Sequence, residues 1–161
     1  AKSFQSAEQA VHYTLALNLI PQIDVFLDNL YTKEEMKMVN ETKKIFDDYA
    51  MGITATTVRV PVYRSHSEAV TVELEHPVEL SAMREALSKF PGVIVQDDPS
   101  KQVYPMPFYT SGKNDVYVGR LRIDESAPNS YNFWCVGDQI RKGAALNTLQ
   151  IAETMIKNGW L

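Results

Sequence analysis

An arginine and a histidine in the segment VRVPVYRSHSEAV, residues 58–70, carry side chains that could do chemistry. Histidine exchanges protons near neutral pH, so His66, with serines on either side, is a candidate general acid or base. Arg59 interrupts an apolar alternation, and a guanidinium can hold a planar carboxylate through two hydrogen bonds. Each residue also has a structural interpretation, as a hydrogen-bonded surface histidine and an outward-facing strand arginine.

The two side chains meet only if the chain bends between them. In an ideal strand, residues seven positions apart such as Arg59 and His66 point to opposite faces. Pro61 lies between them and has no amide donor, which confines proline in sheets to edges, strand starts or bulges. The sequence therefore allows convergence at a kink near Pro61 but does not require it.

Charged residues of alternating sign occur at helical spacing further upstream. They stand three or four positions apart, on one face of a predicted helix: Glu34, Lys37, Glu41 and Lys44. Spacing alone predicts a solvated face with ion pairs worth about 0.2–0.5 kcal/mol each. No local pattern marks these residues as a binding site.

The remaining cysteine and histidines give no sign of chemistry. Cys135 lies in the bulky strand-like stretch FWCVG, where cysteine usually acts as a small buried apolar residue. No helix N-terminus or base is placed beside it to lower its pKa, so it is not predicted to be a nucleophile. His12 and His76 have no partners at metal-ligand spacing, and no metal site is predicted.

Hydrophobic periodicity predicts alternating helices and strands. Thr32 and Glu35 form a capping-box pattern at the start of a helix over residues 33–47. The other predicted elements are two strands or one bent strand over 53–76, a helix over 79–90, a strand over 93–98, a long surface loop over 98–115, strands over 116–123 and 131–137, and a helix over 139–159 capped by Asp138. This order predicts an α+β fold with a mixed or antiparallel sheet.

Composition bounds the class of protein. A chain of 161 residues with 45% hydrophobic residues suits one domain with its own core. A net charge of -4 without a basic block argues against a nucleic-acid surface, so small molecules or proteins are the expected partners. No apolar stretch approaches a membrane span, and the start lacks a signal-peptide layout. With one cysteine, the expected location is the reducing cytoplasm.

Five ordered motifs resemble a known family. They are IPQIDVFLDNLYTKEEMKMVNETKKI, VRVPVYRSHSEAV, VYPMP, VYVGRLRID and DQIRKGAALNTLQIAE. Together they closely resemble the C-terminal, catalytic and dimerisation domain of bacterial aspartate-semialdehyde dehydrogenase. The resemblance runs from about residue 17 to the end, which leaves residues 1–16 as a linker or remnant.

The resemblance implies a fold, a reaction and an assembly. The fold is that of the C-terminal domain of glyceraldehyde-3-phosphate dehydrogenase-like enzymes, a mixed, largely antiparallel sheet with helices packed on one face. The reaction is the NADP-dependent reductive dephosphorylation of aspartyl phosphate to aspartate semialdehyde, on the route to lysine, threonine and methionine. A cysteine of the enzyme attacks the acyl carbon, and the cofactor carries out hydride transfer. The implied assembly is a homodimer.

The resemblance also implies roles for individual residues. His66 corresponds to the acid/base histidine and Arg59 to the arginine that clamps the substrate carboxylate. Glu34 corresponds to the acidic residue that meets the substrate amino group, and Lys37 to the lysine of the phosphate pocket. Asn147 corresponds to a residue close to the nicotinamide. The resemblance thus favours Arg59 and His66 on one active-site wall.

Two parts of the family pattern do not occur in these 161 residues: the glycine-rich dinucleotide-binding fingerprint and the nucleophilic cysteine with its neighbouring glutamine. Cys135 matches a position expected to be apolar. We therefore expect this stretch alone to give no turnover. The alternative from the residues themselves is a non-catalytic module that homodimerises or binds a small molecule.

Overall fold

The computed structural model describes residues 13–161. Most of the predicted linker or remnant, residues 1–16, therefore lies outside the described residues. Composition predicts one domain. In the structure, the chain divides between Pro61 and Val62 into two compact units. Among the described residues, no helix is both long and apolar enough to cross a membrane.

The first unit is organised around helix α1, Lys33–Phe46. The predicted capping box is confirmed: the Thr32 hydroxyl accepts from the Glu35 amide, and the Glu35 carboxylate accepts from the Thr32 amide. The helix ends at Phe46, and the next residue, Asp47, caps it with a left-handed φ of 52°. Acidic residues in the first turn and lysines in the last turn complement the helix dipole.

The prediction of strand over the first half of residues 53–76 is wrong. The valine alternation up to Val62 forms no ladder, and only an isolated antiparallel bridge joins Arg59 to Ile20. Pro61 explains the interruption, because it cannot donate the next ladder hydrogen bond. The only strand in this stretch is β1, His66–Glu73, in the second unit.

The second unit contains a four-stranded sheet. Its strands are β1, β2 (Val93–Val95), β3 (Val116–Ile123) and β4 (Ser130–Gly137), in the order β1-β4-β3-β2. The β1–β4 and β4–β3 pairs are antiparallel and the β3–β2 pair is parallel. The predicted mixed, largely antiparallel sheet is therefore confirmed. Val136, Val118 and Tyr131 lie in its core.

A bulge bends β3 after Gly119. Arg120 has a φ of 57°, and its amide donates to the carboxylate of Asp97 at 2.8 Å. The same carboxylate, fully buried, pairs with the guanidinium of Arg84 on helix α2, Leu80–Lys89. One carboxylate thus joins a helix to the irregular part of a strand.

Residues 98–115 are not the long surface loop that was predicted. They contain a 3₁₀ turn, Pro99–Lys101, and a short helix α3, Pro107–Thr110. Pro105 and Thr110 are fully buried side chains. The prolines and polar residues indicated a loop, but packing of Pro105 against the sheet beside Gly119 overrides that local signal.

The final helix is confirmed with an irregular start. A π-helical turn, Arg141–Ala145, leads into helix α4, Leu146–Lys157. The predicted cap is confirmed, because the Asp138 carboxylate accepts from the amides of Ile140 and Arg141. Its carbonyl accepts from the Lys142 amide, although the π-helical turn itself begins at Arg141.

Candidate functional site

Glu34 and Lys37 are brought together on the first turns of α1. The Lys37 Nζ lies 3.4 Å from Glu34 Oε1, with side chains 53% and 33% exposed. An exposed pair of this kind contributes little to stability. Both charged groups therefore remain accessible to a ligand at small energetic cost.

Glu35 is a buried residue whose full role sequence reasoning missed. Besides closing the capping box, its Oε1 accepts from the amide of Thr57 at 2.8 Å. Its pKa is lowered, first by the hydrogen bond from the Thr32 amide and then by the one from Thr57. The carboxylate thus ties the start of α1 to the segment that leads to Arg59. No sequence signal connects residues 22 positions apart in this way.

Arg59 has a fixed backbone and an exposed side chain. Its amide donates to Ile20 O at 2.8 Å, and its carbonyl accepts from the Ile20 amide at 3.1 Å. Within residues 13–161, its guanidinium makes no hydrogen bond or ion pair. A rigid backbone with an uncommitted guanidinium suits recognition of an anion.

His66 is the first residue of β1, and its side chain is exposed. It pairs in register with Gly137, the last residue of β4. The preceding Ser65 is buried and adopts a left-handed φ of 80°, which is uncommon for a residue with a side chain. His66 therefore stands where a strained turn joins a regular ladder.

Ser65 is held in that turn by several polar contacts. Its amide donates to Gln139 Oε1 at 2.8 Å. Its hydroxyl lies 3.1 Å from that of Ser111 and accepts from Thr110 Oγ1 at 3.4 Å. These contacts come from residues on both the α3 side and the β4 side of the fold.

Asp138 is the central polar group beside the turn. It is fully buried; its Oδ2 lies 2.7 Å from Arg64 Nε and its Oδ1 accepts from Arg64 Nη2 at 3.0 Å. Gly112 N donates to Oδ2 at 2.6 Å, and the amides of Ile140 and Arg141 donate to Oδ1. Burial alone would raise the pKa of Asp138, but these donors outweigh it and lower the pKa to about 2.

Asn147 lies near the start of α4, directly after the π-helical turn. Its side chain is exposed, and within residues 13–161 it makes no hydrogen bond. The turn before it is braced by Lys142, whose Nζ donates to Gln150 Oε1 at 2.7 Å. Single π-helical turns inside helices occur frequently at functional sites.

Cys135 has the properties of a structural thiol. It lies in β4, half-buried, opposite Glu68 of β1. Burial, followed by the negative charge of Glu68, raises its pKa to about 11. The thiolate is the nucleophilic form, so this agrees with the prediction that Cys135 is not a nucleophile.

The candidates fall in both units. Glu34, Lys37 and Arg59 belong to the first, and His66 and Asn147 to the second. The convergence of Arg59 and His66 therefore stays a prediction. In the described part of the chain, no group of three or more His, Cys, Asp or Glu side chains could hold a metal ion.

Comparisons with known proteins agree with the sequence motifs. A sequence model of the family "Semialdehyde dehydrogenase, dimerisation domain" matches residues 2–142. The aspartate-semialdehyde dehydrogenase of Campylobacter jejuni is 54% identical over 149 residues, which cover 92% of this chain and 43% of that protein.

Solved structures agree in fold. The aspartate semialdehyde dehydrogenase II of Vibrio cholerae gives a TM-score of 0.86 at 43% identity, covering 91% of this chain and 43% of that one. A second structure of that enzyme, described as complexed with ASA, gives the same values. The chain thus spans less than half the length of these relatives. It belongs to the semialdehyde dehydrogenase dimerisation-domain family.

Proposed function

We propose that residues 17–161 form the catalytic and dimerisation domain of an aspartate-semialdehyde dehydrogenase. The proposed reaction is the NADP-dependent reductive dephosphorylation of aspartyl phosphate to aspartate semialdehyde. The identity to the Campylobacter jejuni enzyme across nearly the whole chain carries this proposal. The interpretation of residues 1–16 as a linker or remnant stays a prediction; the family match itself begins at residue 2.

Three residues of the first unit are proposed to hold the substrate. Arg59 supplies an exposed guanidinium for the carboxylate, and Lys37 an exposed ammonium for phosphate. Glu34 offers a carboxylate to the substrate amino group. Glu34 and Lys37 pair only weakly with each other, so both can exchange that pair for contacts with the substrate. Glu34 would then contact a positive group and Lys37 a negative one, which suits a substrate that carries both charges.

His66 is proposed as the acid/base group of the reaction. An exposed imidazole on a rigid strand start can take a proton from a nucleophile and return it to a leaving group. The described geometry supports this role because the backbone on both sides of the residue is fixed while the ring is accessible. The reacting cysteine would come from outside these 161 residues.

NADP, when bound, would supply hydride transfer. Asn147 fits a place beside the nicotinamide, because its exposed amide offers both a donor and acceptors for the carboxamide of that ring. The residues described offer no glycine-rich phosphate cradle, so the main dinucleotide contacts are proposed to lie elsewhere in the enzyme.

The substrate-holding role is tested by ligand binding. Isothermal titration of the chain with inorganic phosphate and with aspartate analogues compares Lys37→Ala and Arg59→Ala with the parent. We expect Lys37→Ala to weaken phosphate binding, and Arg59→Ala analogue binding, by about tenfold or more, because each removes a charge-assisted contact. Lys44→Ala, an exposed lysine on the same helix, is the matched control.

Unchanged binding in both variants, with dimers preserved, would contradict the proposal. That outcome would favour the alternative of a non-catalytic homodimerising module. Loss of binding in Lys44→Ala as well would show that only the general charge of the helix matters, which also contradicts a defined phosphate pocket.

A further inference from the structure

The turn before His66 is supported by a buried carboxylate that the proposed roles do not use. Asp138 is 0% exposed and collects donors from three separate parts of the chain: the Arg64 side chain, the Gly112 amide, and the Ile140 and Arg141 amides. A buried charge is tolerated only when it is paired and hydrogen-bonded, as this one is. Such a residue fixes the relative positions of all the groups that bind it.

Asp138 directly follows β4, at the end of the sheet where the turn before His66 lies. Gly137, the residue before Asp138, pairs with His66 in the β1–β4 ladder. Arg64, two residues before His66, donates from Nη2 to Asp138 Oδ1, and its Nε lies 2.7 Å from Oδ2 as an ion pair. The segment before His66 and the segment after β4 are therefore joined twice, by the His66–Gly137 strand pair and by the Arg64–Asp138 contact.

Ser65 completes the constraint. A non-glycine residue at φ 80° persists only where its surroundings determine its conformation. Its neighbour Arg64 is fixed by Asp138, and its own amide is fixed by Gln139, the residue after Asp138. Release of Arg64 would let this turn relax, and the direction in which the His66 side chain leaves the sheet would change with it.

We propose that Asp138 is a positioning residue for His66, acting through its ion pair and hydrogen bond with Arg64. This inference rests on the proposed acid/base role of His66. Asp138 touches no substrate in this proposal, and its effect on the reaction passes entirely through the imidazole.

The first test is kinetic and uses the full-length enzyme that carries these residues. Asp138→Asn keeps the size of the side chain but weakens its grip on Arg64. With aspartate semialdehyde, phosphate and NADP, we expect kcat to fall by about tenfold or more and KM to change by less than about twofold, since a misplaced catalytic group affects the chemical step. Asp98→Asn, which loosens a surface pair with Lys101, is the matched control and should leave kcat unchanged.

A double-mutant comparison separates positioning from a general structural effect. In a His66→Ala background, Asp138→Asn should cause no further fall in the residual rate, because its effect passes through the missing ring. An equal fall in both backgrounds, or an unchanged kcat in the single variant, would overturn the inference. A His66→Ala variant with the parent's kcat would instead overturn the proposed function, and the inference with it.

A second measurement covers the case in which Asp138→Asn does not fold or the residual rate is too low. Arg64→Lys keeps the charge but removes the planar guanidinium that contacts Asp138. In NMR spectra of this chain, we expect Arg64→Lys to shift or broaden the His66 imidazole signals and to leave those of His76 in place. Unchanged His66 signals in a folded Arg64→Lys chain would overturn the inference.

Discussion

At the scale of single residues, neighbours decide what a group can do. Asp138 and Cys135 are three positions apart, at the end of β4. Hydrogen-bond donors keep the first charged, with a pKa of about 2, whereas burial and Glu68 keep the second protonated, with a pKa of about 11. The surroundings therefore keep Asp138 charged and make Cys135 an unreactive thiol.

Cys135 should accordingly react slowly with alkylating reagents. We expect iodoacetamide at pH 7.5 to modify it at least about tenfold more slowly than a model thiol of ordinary pKa, and the rate to rise as the pH approaches 11, since the thiolate fraction grows. Mass spectrometry of timed samples gives the rate. Modification at the model-thiol rate in folded protein would contradict the assignment as a structural thiol.

The residue scale is also where the sequence was most and least informative. The Thr32–Glu35 capping box follows from local spacing, and the structure confirms it. The Glu35–Thr57 and Arg64–Asp138 contacts join residues 22 and 74 positions apart. Single-sequence patterns carry no information on such pairs, because only the folded chain brings them into contact.

At the scale of elements, one glycine allows two segments to pack. Gly119, just before the β3 bulge, lies against the Gln96 backbone and the Pro105 ring. An added Cβ would clash with the carbonyl oxygen of Gln96 and lie 2.7 Å from Pro105 Cδ. Pro105 in turn accepts a hydrogen bond from Trp134 Nε1 at 3.0 Å. The absence of a side chain at Gly119 is thus a condition for the buried path of residues 98–115.

Gly119→Ala should therefore destabilise the protein. We expect a loss of roughly 1–3 kcal/mol in the free energy of unfolding, because the clashing atoms are backbone and a ring carbon that cannot move aside freely. Urea unfolding followed by circular dichroism measures it. Gly137→Ala is the matched strand control, since its Cβ would meet only Val116 Cγ2 at 3.6 Å, an ordinary contact. Equal stability of the two variants would contradict this account of the packing.

At the scale of the whole molecule, the family points to pairing of two copies. The matched family is a dimerisation domain. In the second unit, the final helix and the residues after it leave large apolar side chains exposed, among them Leu149, Ile151, Ile156 and Trp160. Soluble proteins rarely leave contiguous apolar surface uncovered, so a covering partner is expected.

We therefore expect this chain to sediment as a dimer at micromolar concentration. Burial of apolar side chains drives such association. Sedimentation velocity over a hundredfold concentration range gives the mass, and the unfolded chain in guanidinium chloride serves as the monomer reference. A concentration-independent mass of one chain would contradict the proposed homodimer.

By itself, the sequence determined most of the regular elements and the family. Hydrophobic periodicity predicted α1, α2, β3, β4 and the final helix, because those signals are local and repeat along the chain. The tertiary structure decided what local pattern could not: the valine alternation before Pro61 forms no strand, and the proline-rich stretch after Asp97 is partly buried. It also surrounded one carboxylate, Asp138, with donors from distant segments, because packing brings together groups that the sequence keeps far apart.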